Sequence, residues 1–240
     1  MTRSKVYALR MWPLGDAELA ALRLSLAVAG RSVAISLLPA VFLAWLLTRR
    51  RFPGRMLVDA AVHLPLVLPP VVVGYLLLVL LGTRGPIGGW LDRSFGIQLV
   101  FTTLGAAVAT AVMSFPLMVR AIRISLEGVD RGLEEAARTL GANRWRRFGT
   151  ITLPLMLPGV LAGAVTAFAA GLGEFGAVIT FVSNIPGETR TLPLALYTAL
   201  QTPDGGPLAA RLAAMSLLLG LSGLLVAELL SRGLRRWLGR

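Results

Sequence analysis

Five stretches of this 240-residue chain are each long and apolar enough to cross a hydrocarbon core, and that property removes most architectures from consideration. They run from Leu24 to Leu47, Ala60 to Leu81, Gln98 to Val119, Leu153 to Val182 and Leu208 to Leu230. At about 1.5 Å of rise per residue, roughly 20 helical residues traverse a core of about 30 Å. None of the stretches alternates apolar with polar positions, so helices rather than barrel strands are expected. The fold class is therefore all-α and polytopic, a single membrane-spanning domain over 1–240. Charged residues make up 15% of the chain, against about 25% in a soluble domain, so lipid must cover part of its surface. The first stretch exceeds the roughly 7–15 apolar residues of a signal peptide and has no small-residue cleavage site before Arg49-Arg50-Arg51, so it is expected to stay.

The net charge of +12 is distributed unevenly between the loops. Four arginines (49, 50, 51, 55) follow the first stretch, seven (120, 123, 131, 138, 144, 146, 147) follow the third, and four (232, 235, 236, 240) follow the fifth. The opposite side carries eight basic residues: Arg3, Lys5, Arg10, Arg23, Arg84, Arg93, Arg190 and Arg211. By the positive-inside rule the N-terminus lies outside, and the C-terminus and the third loop lie in the cytoplasm. The basic charge thus reports topology, and a nucleic-acid partner is not expected. Trp12, Trp45, Trp90, Trp145 and Trp237 all fall near the ends of stretches, as an aromatic belt requires. The absence of cysteine rules out a disulfide framework and thiolate metal sites, and no metal site is expected. His63, the single histidine, has no partners at metal-ligand or proton-relay spacing and reads as an interfacial residue.

The third loop, 120–152, is long for a compact membrane protein, and such loops are usually functional. Asp130 can cap a short helix from Arg131 to Leu140, with Glu134 and Glu135 in its early turns, where carboxylates suit the dipole. Gly141 stands where a helix ends in a left-handed residue. Ala136 and Ala137 keep one face small, so a partner surface can approach the backbone. By spacing alone this could equally be a solvated hairpin. A second turn from Asn143 to Thr150 leads into the fourth stretch, with Pro154 and Pro158 in its first turns, where a missing N–H is tolerated.

The run Glu135-Ala136-Ala137, Gly141-Ala142, Phe148, Ile151, Leu153-Pro154 and Pro158 resembles the EAA loop of ABC import permeases. That resemblance implies a type I importer fold and a coupling helix, carrying Glu135, Ala136, Ala137 and Gly141, that docks into a separate ATPase. The chain has one lysine, Lys5, and no G-x-x-x-x-G-K-[ST] pattern, so ATP and Mg belong to the partner and no cofactor is expected here.

Two further segments interrupt the apolar stretches. His63-Leu64-Pro65-Leu66-Val67-Leu68-Pro69-Pro70 must kink or break a helix, and breaks at membrane depth usually line a pathway. Pro69 and Pro70 are therefore pathway candidates, a bent packing helix being the alternative. Gly171-Leu172-Gly173-Glu174-Phe175-Gly176 places a carboxylate in an apolar run. Glu174, with Gly173 and Gly176, either walls the pathway or gate, or is held for packing by an arginine or by backbone N–H groups; Arg31 is a candidate partner.

With Asn184-Ile185-Pro186-Gly187-Glu188-Thr189-Arg190-Thr191-Leu192-Pro193-Leu194-Ala195-Leu196-Tyr197, these segments resemble the permeases of molybdate importers, and sulfate, thiosulfate and tungstate permeases are the alternative within the family. The resemblance implies a homodimer in a bacterial inner membrane, two ATPase subunits, and a periplasmic or extracellular binding protein that delivers the oxyanion for alternating access. Rival classes are weaker. An intramembrane serine protease would need a G-x-S-x-G context that is absent, and an ATP-independent channel would have no use for a coupling loop.

Overall fold

The computed structural model describes residues 15–237 and builds them from helices, with no strand among the described residues. Helix α1 spans Asp16–Arg49, starting eight residues before the expected stretch. Its first turn is closed by the Glu18 carboxylate, which accepts the Gly15 N–H at 2.6 Å. Helices α2 (Arg55–Val67) and α3 (Pro70–Leu81) follow, then a short α4 (Gly88–Phe95). Helix α5 (Thr103–Glu127) is capped by the Thr102 hydroxyl, which accepts from Gly105 N. The polar loop holds α6 (Arg131–Thr139), α7 (Arg144–Arg147) and one π-helical turn (Phe148–Thr152) that runs into α8 (Leu153–Leu172). Helices α9 (Gly176–Val182), α10 (Leu192–Gln201) and α11 (Gly206–Trp237) complete the chain.

Four helical segments pass as unbroken spans, and the expected second span is the bent pair α2–α3, turned through 119° at Leu68-Pro69. Proline removes an N–H and clashes with the preceding turn, so Pro69-Pro70 ends one helix and begins the next. The pair nevertheless connects opposite ends of the bundle, because α1 and α5 run in the same direction. Near their C-terminal ends, Arg49 of α1 donates to the carbonyls of Leu126 and Val129. Near their N-terminal ends, Val28 shares a core cluster with Ala106 and Ala109. Helix α8 runs antiparallel to α5, with Gly159 against Ser125, Gly163 against Met118 and Gly171 against Thr110. Helix α11 starts beside the start of α1, where Ala21 packs with Ala209 and Leu212. The ion pair of Glu18 with Arg211, at 2.8 Å, fixes that corner. The bundle thus has an odd number of crossings, and α1 begins at the end opposite to where α11 finishes.

Small residues permit this packing. Gly159 and Gly163, four apart on α8, let it approach α5 closely enough for the Ser125 hydroxyl to donate to the Met156 carbonyl. Helix α5 is the centre of the bundle, with Ala106, Ala107, Met118, Val119, Ile122 and Leu126 buried. Helix α11 exposes Leu217, Leu218, Leu221, Leu224 and Leu225, a face of the kind that lipid covers.

Two expected boundaries move. The polar loop begins after Glu127 rather than at Arg120, because α5 continues for two further turns and carries Arg120 and Arg123 with it. The fourth stretch is two helices, interrupted at Gly173-Glu174-Phe175. Trp45 stacks under Arg50 at 5.4 Å and Trp90 meets Phe95 edge-on, toward opposite ends of the bundle. Trp145 is strongly exposed beneath Arg144 in the polar loop. Trp12, with Arg3, Lys5, Arg10 and Arg240, lies outside the described residues, as do the side chains of Trp237, Arg232, Arg235 and Arg236.

Candidate functional site: a capped surface helix and two facing helix breaks

Helix α6 stands outside the bundle and is closed at both ends by its own sequence. Asp130 accepts from Gly132 N at 2.8 Å, the N-cap that satisfies an orphan donor. At the other end, Ala142 N donates to the Ala137 carbonyl and Gly141 N to the Arg138 carbonyl, the paired bonds of a Schellman motif. Gly141 has φ +83°, which glycine adopts without a steric penalty. Glu135 and Ala136 are exposed, Ala137 is half-buried and Leu140 is almost fully exposed, so the outer face offers small and apolar groups to a partner.

The inner face is anchored by contacts that the sequence reading did not anticipate. Glu134 Oε1 lies 3.3 Å from Arg49 Nη2 and accepts from the Thr152 hydroxyl at 2.7 Å. The Arg49 side chain is only 9% exposed, and the same Nη2 donates to the carbonyls of Leu126 (3.3 Å) and Val129 (3.2 Å). One guanidinium therefore ties α6 to the ends of α1 and α5, while Thr152 ties it to the start of α8. Glu134 and Ala137 share a face by their spacing of three, which marks the inward side. The choice of Arg49 among the arginines following the first stretch is a tertiary fact with no local signal.

The expected pathway residues are brought together. A Cβ added to Gly176 would lie 2.8 Å from Pro70 Cβ, so the α2–α3 break and the α8–α9 break touch. Along the same seam a Cβ on Gly74 would come 2.6 Å from the Ala177 carbonyl oxygen. Gly173 caps the end of α8, its N–H donating to the Ala170 carbonyl. Glu174 Oε1 accepts from Ala177 N at 2.9 Å, which makes the carboxylate a cap for the first turn of α9. No ion pair joins it to Arg31, which is exposed, so of the two readings the backbone supplies its partner. If capping is the role of Glu174, Glu174→Gln keeps stability, whereas Glu174→Ala lowers it by about 1 kcal/mol. Thermal unfolding of both variants in detergent checks this; a Gln variant as damaged as the Ala variant would assign the role to the charge.

The segment after α9 folds on itself. Buried Thr189 donates to the Ser183 carbonyl and accepts from Ile185 N, while Asn184 receives the Arg190 guanidinium at 2.8 Å and donates to Thr198. Phe175 meets Tyr197 at 5.1 Å, linking this segment to the α8–α9 break. His63 belongs to a cluster instead of standing alone: its Nδ1 lies 2.9 Å from the Asp59 carbonyl oxygen and 3.3 Å from Asp59 Oδ1, and Asp59 pairs with Arg123 at 2.6 Å. No group of three or more metal-ligating side chains occurs among the described residues.

The chain as a whole is similar to known proteins. The chain is 61% identical over 227 residues to the molybdenum transport system permease protein ModB of Escherichia coli K12, covering 95% of this chain and 99% of that one. It is 43% identical over 182 residues to the sulfate transport system permease protein CysT of the same strain, covering 75% of this chain and 65% of that one. Its fold matches a bacterial ABC transporter involved in import of the acidic polysaccharide alginate, with a TM-score of 0.70 at 18% identity, over 98% of this chain and 90% of that one. The family model described as binding-protein-dependent transport system inner membrane component matches residues 36–236. By that match, which takes in α6 and both helix breaks, the chain belongs to the family of inner membrane components of binding-protein-dependent transport systems and is a transporter component rather than an enzyme.

Proposed function

We propose that this chain is the permease of a molybdate importer, working as a homodimer with two copies of a separate ATPase and an external molybdate-binding protein. The observation that carries the cargo is the 61% identity, over nearly the whole chain, to a permease named for molybdenum. Sulfate is the nearer alternative, with 43% identity over a shorter span. Restoring the chain to a strain lacking its molybdenum permease is expected to recover growth on trace molybdate. Recovery of sulfate uptake alone would reassign the cargo.

In this reading, α6 is the coupling helix, with Glu135, Ala136 and Gly141 at its docking surface and Ala137, which the sequence reading grouped with them, on the side turned toward the bundle; ATP and Mg are held by the partner. ATP binding draws the two docking loops together and hydrolysis releases them. The touching breaks at Pro69-Pro70 and Gly173–Gly176 lie where the bundle can open and close, because their backbone is not locked into continuous helix. Each state is favoured only by ligands that bind it more tightly, the binding protein on one side and ATP on the other.

Gly141→Asp tests the docking surface. Nothing lies within 4 Å of an added Cβ, so the bundle itself is spared. Aspartate tolerates the left-handed backbone better than most residues, as Asp204 does at φ +59°, so the substitution acts chiefly by adding bulk and a negative charge beside the docking face. The expected result is ATP hydrolysis that no longer drives uptake, read as transport per ATP in proteoliposomes. Unchanged coupling would remove Gly141 from the docking surface.

A further inference from the structure

A hollow of about 680 Å³ opens between the end of α1, the start of α2 and the α5–α6 link. Arg49, Arg51, Arg55 and Arg131 line it, together with Glu127 and Asp130. Their commitments differ. Arg49 is spent on Glu134 and two carbonyls, and Asp130 on the N-cap of α6. The side chains of Arg51, Arg55 and Arg131 make no hydrogen bond or ion pair with any described residue, and the one uncommitted carboxylate is Glu127. Three free guanidiniums against one free carboxylate leave a cationic excess in a partly enclosed space, where like charges repel unless an anion joins them. Within the wall, the Arg49 Nε–H and the Thr48 hydroxyl are buried and unpartnered.

The surroundings decide what kind of anion fits. Trp45 stacks with Arg50 at the last turn of α1, a pairing typical of the boundary between acyl chains and headgroups. Met56 and Leu57, next to Arg55, are 86% and 75% exposed, so a bare apolar flank adjoins the cationic hollow. A free anion would use the arginines and ignore that flank. A phospholipid uses both, with its phosphate among the guanidiniums and its chains along Met56 and Leu57. Guanidinium also matches phosphate through paired N–H donors. We propose that this hollow binds the phosphate-bearing headgroup of an anionic phospholipid, beside the first residues of α6.

Because the test reads lipid rather than cargo, it stands whichever oxyanion is carried. The transporter, with its ATPase subunits, is purified in detergent and titrated separately with phosphatidylglycerol, with phosphatidylcholine of the same chains, and with inorganic phosphate; bound lipid is counted by native mass spectrometry. Phosphatidylglycerol is expected to be retained over phosphatidylcholine, and Arg51→Gln with Arg55→Gln to weaken that retention by about fivefold for each arginine removed. Arg131→Gln, on a different element, is expected to weaken it by a similar factor. Inorganic phosphate is expected not to displace the lipid. Equal retention of both lipids, undiminished retention in the variants, or displacement by inorganic phosphate would each overturn the assignment.

Discussion

Arg49→Ala is expected to disable transport while leaving the chain in the membrane. The substitution removes one guanidinium that holds Glu134 and the carbonyls of Leu126 and Val129, so all three lose their charged donor together, while Glu134 keeps the Thr152 hydroxyl and the Leu126 carbonyl keeps the Val129 N–H. Breaking a buried pair by deleting one partner costs about 3–5 kcal/mol, and because Glu134 keeps some access to water the lower end applies. The loss is local: α6 comes adrift from α1 and α5, while the α5–α8 glycine seam is untouched. Two readings check it, protease cleavage within 128–152 and the ATPase that copurifies with the chain; cleavage should rise, and copurification should fall at least tenfold. Arg49→Lys should recover little, because an ammonium cannot reproduce the planar fork that reaches several acceptors. Wild-type cleavage in Arg49→Ala would show that α6 is held by other contacts.

Gly74→Val should have the second largest effect, through crowding. Even a single Cβ at this position would lie 2.6 Å from the Ala177 carbonyl oxygen and 2.8 Å from Thr180 Cβ, and backbone cannot step aside as a flexible side chain can. Overpacking costs about 1–3 kcal/mol for added methylenes, and a branched residue against backbone belongs at or above the top of that range. Helices α3 and α9 would separate, and the Pro70–Gly176 contact a turn away would open with them. The expected outcome is a chain present at reduced level, with uptake lost in proportion or beyond it. Gly220→Val is the control, since nothing lies within 4 Å of its Cβ position on α11. Equal behaviour of the two variants would refute the close-packed seam.

The legibility of this molecule follows the range of the forces involved. Apolar length is a local property, and the five stretches correspond to four unbroken spans and one bent pair. Caps are local too: Asp130 and Gly141 take the positions their residue types require. The prolines announced a break at residues 69 and 70, but the 119° turn depends on what α3 packs against, and Gly74 on α3 and Gly176 on α9 let those two helices meet closely. The loop boundary was placed too early because Arg120 and Arg123 read as the end of an apolar run. Arg123 remains in the helix because Asp59 on α2 offers it a partner, a pairing across 64 residues. A still longer separation in sequence hid the pairing of Arg49 with Glu134. The sequence reading left the Glu174 partner open between an arginine and the backbone, and its resolution in favour of Ala177 N requires only three residues.

The helical path from Arg144 to Leu172 has mechanical consequences. It continues for 29 residues through the π turn, where Leu153 N donates to the Phe148 carbonyl ahead of Pro154. At about 1.5 Å per residue such a rod is roughly 43 Å long. One end carries the Trp145 turn beside α6, and the other stops at the Gly173–Phe175 break against Pro70. A tilt of about 5° pivoting at one end of a rod of that length sweeps the other through roughly 4 Å, more than the thickness of a carbon atom. If the path moves as one body, it is a lever arm whose gearing between the surface loop and the far break follows from its length, and the π turn and Pro158 are the places where it would bend instead.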